Sequence, residues 1–256
     1  MNYFLVTITG IFGLMIGSFL NALIYRLPRD INIALPRSSC PHCKKLIYWY
    51  ENIPVFSYLF LKGKCSGCHN KISIEYPLIE IFSAAIAIAM TPVDLAPQSI
   101  FSFFFHYSVF CCFLVHFIVD LRHQILPDLI NLYLGALFLV VSVINFHYYH
   151  WLLGFAFGFG FPYLISFIFY KLKGQIGLGG GDIKLWGALG IYLGPMGIIQ
   201  NIFLSCFIGA LLGGGLLLFK VIKREHPIPF GPFIIVVAAV QIYFPEWFMG
   251  IVQYIS

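Results

Sequence analysis

The sequence predicts an all-α polytopic membrane protein of about eight transmembrane helices, with a small four-cysteine domain in the loop after the first. Three observations carry this expectation. The chain has 256 residues, of which 60% are hydrophobic and 10% charged, whereas a soluble globular domain carries about 25% charged residues. So few charges cannot cover a water-facing surface. The apolar residues also come in runs of about 20, the length that crosses a bilayer as a helix. Finally, all 15 Lys and Arg fall between those runs, in four clusters. Arg26, Arg29, Arg37, Lys44, Lys45, Lys62, Lys64 and Lys71 form the first, and Arg122 stands alone. Lys171, Lys173 and Lys184 form the third, and Lys220, Lys223 and Arg224 the fourth. Loops rich in Lys and Arg stay in the cytoplasm, so topology accounts for the net charge of +5 and no nucleic-acid partner is expected.

Residues 3 to 24 supply the first span. This run lacks a basic n-region and a small-residue cleavage site, and it ends at Arg26, so it is expected to remain as a helix with its N-terminus outside. Residues 26 to 73 are polar and Cys-containing, long enough for a small cytoplasmic domain. The second span starts near Tyr76-Pro77 and ends before Thr91-Pro92. An outer loop, 92 to 98, holds Asp94 and no basic residue. The third span, about 99 to 119, delivers Asp120 to the inner face. Pro127-Asp128 opens the fourth, because Pro suits the first turn of a helix and a carboxylate suits its N-terminus. An aromatic outer turn follows at His147 to His150, and the fifth span covers about 151 to 170. Lys171 to Lys184 is the next inner loop. The apolar stretch 185 to 219 is too long for one span, and Gly194-Pro195-Met196-Gly197 divides it into a short sixth and a longer seventh. An inner loop, 220 to 231, leads to an eighth span that fills most of the remainder. Eight crossings then put every basic residue on the cytoplasmic face. No internal repeat is evident.

Two acids stand out among the ten carboxylates. Asp182 follows three glycines in Gly179-Gly180-Gly181-Asp182-Ile183-Lys184, and Asp120 closes an apolar run in Val119-Asp120-Leu121-Arg122-His123. An ionisable residue at the edge of a transmembrane segment is costly and marks a functional site by default. In the expected topology both acids share one depth. Two carboxylates in one site cannot easily both ionise, so such a pair holds one proton and titrates as a unit. One member then serves as general base on a water while the other donates a proton to the peptide carbonyl or leaving amine. Structural readings compete. Asp182 serves equally as a helix N-terminal stabiliser, and the glycines as a plain turn. The Gly-x-x-x-x-Gly-Lys-Ser/Thr pattern of a phosphate loop is absent. Asp128, after Pro127, reads as a first-turn residue, and Lys184 as an interfacial anchor.

Cys40-Pro41-His42-Cys43 and Cys65-Ser66-Gly67-Cys68 are two C-x-x-C pairs in one polar segment. Each pair is half of a tetrahedral thiolate site, and about 48 residues make too small a core to fold unaided. A structural zinc on Cys40, Cys43, Cys65 and Cys68 is expected. Disulfides are the alternative, and the reducing cytoplasm disfavours them. Either His42 or His69 could replace a thiolate. Cys111, Cys112 and Cys206 lie in spans as packing residues.

Taken together, the chain resembles the type IV prepilin peptidase family, the prepilin leader peptidase/N-methyltransferases. The resemblance runs through Gly17-Ser18-Phe19-Leu20-Asn21, Tyr25-Arg26-Leu27-Pro28-Arg29, both Cys pairs, Trp49-Tyr50-Glu51-Asn52-Ile53-Pro54 and Tyr76-Pro77-Leu78-Ile79-Glu80. It continues through Asp120 to Asp128, Gly179 to Leu185, and Ile228-Pro229-Phe230-Gly231-Pro232. It implies a bacterial inner-membrane aspartyl protease of the Gly-x-Gly-Asp type, with Asp120 and Asp182 as its acids. It would cut the basic leader of type IV prepilins and pseudopilins on the cytoplasmic side. The four-cysteine domain marks members that also methylate the new N-terminus with S-adenosylmethionine; cleavage alone is the alternative. The implied division is a first helix (1-25), a zinc domain (26-73) and a seven-helix protease core (74-256). Glu80 and the Arg26 to Glu51 region are candidates for the methyl-donor site. Two other classes remain open at this point: a small transporter using Asp120 and Asp182 as a proton relay, and a non-catalytic zinc-domain scaffold.

Overall fold

The computed structural model describes residues 3–175, 177–219 and 228–255, and among these the regular structure is helical. Extended pairing is limited to two isolated antiparallel bridges, Ser39 with Leu46 and Lys64 with Lys71. Five segments are long and apolar enough to cross a membrane: Tyr3–Arg29, Pro97–His123, Asp128–Asn145, Tyr148–Lys173 and Gly180–Leu216. The inner loop expected at 220 to 231, with Lys220, Lys223 and Arg224, lies outside the described residues as far as Pro227. The chain divides into two compact units, Met1–Cys111 and Cys112–Ser256.

In the first unit, α1 (Tyr3–Arg26) packs on α3 (Glu75–Ala89). The contact is close because α1 presents glycine where the helices cross. A Cβ at Gly13 would lie 2.6 Å from the Ala84 Cα, and one at Gly17 2.6 Å from the Glu80 Cα. Small residues four apart let membrane helices approach backbone to backbone, where dispersion and polar contacts replace the missing hydrophobic drive. Polar side chains seal the pair. Ser83 Oγ donates to the Gly13 carbonyl at 2.9 Å, and Asn21 Nδ2 to the Tyr76 carbonyl at 3.0 Å. Between these helices, residues 30 to 74 carry only short elements, among them α2 (Phe56–Phe60). Arg26, buried at the end of α1, donates to the carbonyls of Asn32, Ile33 and Pro36 and so anchors the start of this segment.

The remaining helices are α4 (Pro97–His123), α5 (Asp128–Asn145), α6 (Tyr148–Phe155), α7 (Phe161–Lys173), α8 (Gly180–Leu218), α9 (Gly231–Tyr243) and α10 (Pro245–Ile255). A wider π turn, Ala156–Gly160, joins α6 to α7 into one rod. The aromatic turn expected at 147 to 150 is narrower, since α6 already begins at Tyr148. The terminal region differs more. One span was expected after residue 231, but Pro245, which has no N–H to continue a helix, separates α9 from α10.

α8 is a helical hairpin. Trp186 Nε1 donates to Asn201 Oδ1 at 3.1 Å, yet 15 residues of straight helix would hold them about 22 Å apart. The chain reverses at Gly194, whose φ of 71° suits glycine, and Pro195 follows. The break therefore falls where the sequence places it, between a short limb (180 to 193) and a longer one (195 to 218). Asn201 Nδ2 donates onward to Gln241 Oε1 at 2.8 Å, and Gln241 Nε2 to the Gly197 carbonyl at 2.8 Å, tying α9 to the returning limb.

The first limb lies against α6 through Gly154 and Gly190. A Cβ at Gly190 would sit 2.2 Å from the Gly154 carbonyl oxygen, and backbone cannot move aside as a side chain can. Gly190→Ala is expected to cost about 1–3 kcal/mol as overpacking. A thermal midpoint in detergent lowered by several degrees would show it; an unchanged midpoint would mean the helices part freely.

Candidate active site

One end of the second unit gathers the sequence's marked residues. α4 carries Asp120 in its last turn, and the chain then passes Leu126 and Pro127 into α5. α8 opens at Gly180, so Asp182 is its third residue, and Gly180 and Gly181 are helical where the inner loop was expected to run on to Lys184. α9 opens at Gly231. Leu126, buried, is the hub: the Cβ positions of Gly181 and Gly231 lie 2.9 Å and 3.0 Å from its side chain. Three helix ends thus converge, at the opposite end of the hairpin from Gly194.

The acids have different surroundings. Asp120 is 5% exposed, and its Oδ2 accepts the N–H of Gly231 at 2.9 Å. The first N–H groups of a helix have no partner within it and favour an anion; Asp120 serves α9 in this way across 111 residues of sequence. Asp182 is half-buried and, among the described residues, its carboxylate has no hydrogen-bond partner. The charge of Asp120 acts on it. The Asp182 carboxylate folds back over Gly179, where a Cβ would meet Oδ2 at 2.8 Å. Among the described residues no N–H of its own helix bonds to it. Asp128 is separate and exposed: both its oxygens accept from Lys184 Nζ at 2.7 Å. Lys184, expected as an interfacial anchor, also ties the start of α5 to the start of α8.

Three residues of this site escaped the sequence reading as individuals. Gly231 sits in a motif that was noticed, Ile228 to Pro232, but nothing there announces that its N–H meets Asp120. Asn131, one turn into α5, donates from Nδ2 to the Gly181 carbonyl at 3.4 Å. His116 is fully buried one turn before Asp120, beside Asn131. Its position four residues before an acid in an apolar run was the available signal.

Gly231→Ala tests the geometry around Asp120. The new Cβ would stand 2.8 Å from Asp120 Oδ2 and 3.0 Å from Leu126 Cδ2. The carboxylate must swing away and lose its N–H. A misplacement of about 1 Å at a reacting group costs on the order of 100-fold, so a loss of 10- to 100-fold in turnover is expected, with insertion unchanged. Full turnover would show that Asp120 need not stay where Gly231 holds it.

The first unit holds the four cysteines. Cys40, Cys43, Cys65 and Cys68 are unbridged, and their sulfurs all lie within 4.8 Å of one another. The two pairs have the same backbone. Cys40 N–H donates to Lys45 O and Lys44 N–H to Cys40 O; Cys65 N–H donates to Asn70 O and His69 N–H to Cys65 O, all at 2.9 Å. Lys44 and His69 both take positive φ, 59° and 56°. A small structural duplication is present, 25 residues apart, that extends past the shared C-x-x-C letters to the residues that follow. Gly67 N–H donates to Cys65 Sγ at 3.4 Å, and backbone N–H groups of Cys68 and Gly67 draw that thiol down to about 6. Four converging sulfurs with N–H groups aimed at one of them suit a thiophilic, tetrahedral cation, and His42 and His69 are not needed. Glu51 braces the two knuckles: Lys45 Nζ lies 3.1 Å from its Oε1, and Ser66 Oγ donates to the same oxygen. The Ser66 hydroxyl and the Tyr48 N–H hold the Glu51 carboxyl at about 2. Of the other cysteines, Cys111 and Cys112 are buried and Cys206 is exposed.

The residues offered for a methyl donor are engaged internally. Arg26 is spent on loop carbonyls, and Glu51 on the knuckles. Glu80, 7% exposed, accepts the Val55 N–H at 2.7 Å rather than a cation of the basic loop.

Comparison with known proteins agrees along the chain. Residues 11–93 match the model of the bacterial peptidase A24 N-terminal domain, and residues 107–214 that of the type IV leader peptidase family. Relatives named prepilin leader peptidase/N-methyltransferase occur in Xanthomonas campestris pv. campestris, Aeromonas hydrophila and Bacillus subtilis. The first is 36% identical over 87% of this chain and 85% of its own length. The second is 33% identical over 88% and 85%, and the third 32% over 89% and 90%. No solved structure matches.

Proposed function

The chain belongs to the type IV leader peptidase family, and from that premise we propose that it cleaves prepilin leaders with Asp120 and Asp182 and then methylates the new N-terminus. The observation that carries the assignment of residues is the meeting of three helix ends around Leu126. It brings two acids 62 positions apart into one electrostatic site while pairing the third acid, Asp128, with Lys184.

The chemistry follows from the geometry. Asp120 offers one oxygen to Gly231, which leaves Oδ1 for a water or a shared proton. Asp182 has both oxygens available among the described residues. One carboxylate removes a proton from water, which attacks the peptide carbonyl. The other, protonated, gives its proton to the carbonyl oxygen as the tetrahedral intermediate forms; on collapse the proton taken from water goes to the leaving amine, and the intermediate's hydroxyl returns a proton to the second carboxylate. A prepilin places its basic leader in water and its apolar helix in lipid, so the scissile bond lies where these helix ends lie. A mid-membrane proton relay would want its acids near the bilayer midplane, so the transporter reading is weaker.

Counting α3, both limbs of α8, the α6–α7 rod and α9 as crossings gives the expected eight, an arrangement that would put this end in the cytoplasm and the N-terminus outside. The setting is the bacterial inner membrane. Within that arrangement residues 26-73 form the zinc domain, held by Cys40, Cys43, Cys65 and Cys68, and 74-256 the protease core. Zinc there supplies a structural cross-link, not a reacting group. S-adenosylmethionine supplies the methyl group of the second reaction. Prepilins and pseudopilins are the substrates, met within the bilayer.

The test is a co-expressed prepilin, read by gel mobility and by transfer of labelled methyl from S-adenosylmethionine. Shortening of the prepilin followed by label in the product is expected. An unshortened prepilin would overturn the proposal, and shortening without label would leave a peptidase alone.

A further inference from the structure

α2 turns its apolar side chains outward. Phe56, Leu59 and Phe60 are 55%, 64% and 83% exposed, and positions three and four apart share one side of a helical turn. A specific contact fixes where this turn hangs. The Val55 N–H, directly before α2, donates to Glu80 Oε2 at 2.7 Å. Glu80 is buried and lies five residues inside α3, about 7–8 Å along its axis. Val55 takes a φ of 63°, uncommon for a β-branched residue, so the chain enters α2 in a conformation that free choice would avoid. Close to Glu80 along α3, the apolar side chains of Leu78, Ile81 and Phe82 are exposed.

Charge points the same way. Lys62 and Lys64 follow the stripe and are exposed. From 26 to 73 there are eight Lys and Arg against two acids, Asp30 and Glu51. An amphipathic turn with basic flanks settles about 5–10 Å into the boundary between headgroups and acyl chains, and anionic lipid attracts each added cation.

We propose that α2 is a membrane foot: Phe56, Leu59 and Phe60 insert into an anionic bilayer surface continuous with the lipid-facing side of α3, and Lys62 and Lys64 meet lipid phosphates. The four-cysteine knuckles are then held against the membrane by a third point besides their connections to α1 and α3. This rests on the membrane-spanning reading alone and is independent of the peptidase assignment.

The experiment uses the full chain in nanodiscs of phosphatidylethanolamine and phosphatidylglycerol, with the photoreactive analogue p-benzoylphenylalanine in place of Phe60. The same probe at Leu78 of α3 is the lipid-facing reference. Zinc content confirms that the knuckles are intact. Lipid adducts at 60, within threefold of the yield at 78 and unchanged when prepilin is added, are expected. Lys62→Gln with Lys64→Gln should lower the yield at 60 at least threefold and leave 78 unaltered. Absence of lipid adducts at 60 while 78 reacts overturns the proposal. So does a switch of the adduct from lipid to added prepilin, which would make the stripe a substrate surface.

Discussion

Asp182→Asn is expected to lower prepilin cleavage by about 1,000-fold or more, since general acid–base assistance contributes roughly 100- to 10,000-fold per group and the pair works as one unit. The substitution is nearly isosteric. Asp182 has no hydrogen-bond partner among the described residues, so no native contact is lost with its charge. Normal insertion and an unchanged thermal midpoint should therefore accompany the loss. Asp120→Asn is the sharper discriminator. A purely structural Asp120 would act as an acceptor for the Gly231 N–H, and the Asn amide oxygen can accept that same bond. If the residue only caps α9, activity survives; if it shares a proton with Asp182, activity falls as far as in the first variant. The double variant should be scarcely worse than either single one. Cleavage above a tenth of wild type in either purified single variant would remove the dyad. Asp128→Asn, which breaks only the exposed pair with Lys184, is expected to stay within a few-fold of wild type, because such exposed ion pairs contribute about 1 kcal/mol or less.

The second large effect lies in the other unit. Cys43→Ser with Cys68→Ser is expected to abolish zinc retention, from about one zinc per chain to less than a tenth, and methyl transfer with it. The reason is the poverty of the core. Around the knuckles Cys40 is buried, but Leu35, Leu46, Trp49, Tyr50 and Phe60 are exposed. A structural zinc contributes about 10–16 kcal/mol of apparent binding energy to such domains. Without it the knuckles have two isolated bridges and one buttressing glutamate. Cleavage should persist within about tenfold, because Asp120, Leu126, Asp182 and Gly231 are placed by α4, its connection to α5, α8 and α9. Metal counting on the purified variant and the two product assays, run side by side, separate the outcomes. Methyl transfer at the wild-type rate by a zinc-free protein would show that the four sulfurs are dispensable.

Much was legible from residue order because a bilayer imposes few solutions. Backbone groups in lipid must be satisfied within the segment, so long apolar runs must be helices, and the runs here are helices. The break at Gly194-Pro195 was readable because only glycine takes that φ cheaply and proline cannot donate. The cysteines were readable because thiolates at that spacing admit few chemistries, and their sulfurs do converge. Asp120 and Asp182 were readable as costly charges at helix edges. Other features were not local. Gly231 donates to Asp120 across 111 residues, Lys184 finds Asp128 across 56, and Gly154 lets the hairpin limb approach α6 through Gly190. Beyond their cysteines, the matching knuckles share backbone hydrogen bonds and left-handed residues at Lys44 and His69, which the differing letters there do not announce.

The order of residues thus determined which segments are helical, where the chain must break, and which side chains are too costly to be idle, since each of these follows from local sterics and transfer energies. Tertiary structure alone decided which acid meets which helix end. That choice depends on how separate helices pack around Leu126, and packing is a property of surfaces in three dimensions that no single stretch of sequence contains.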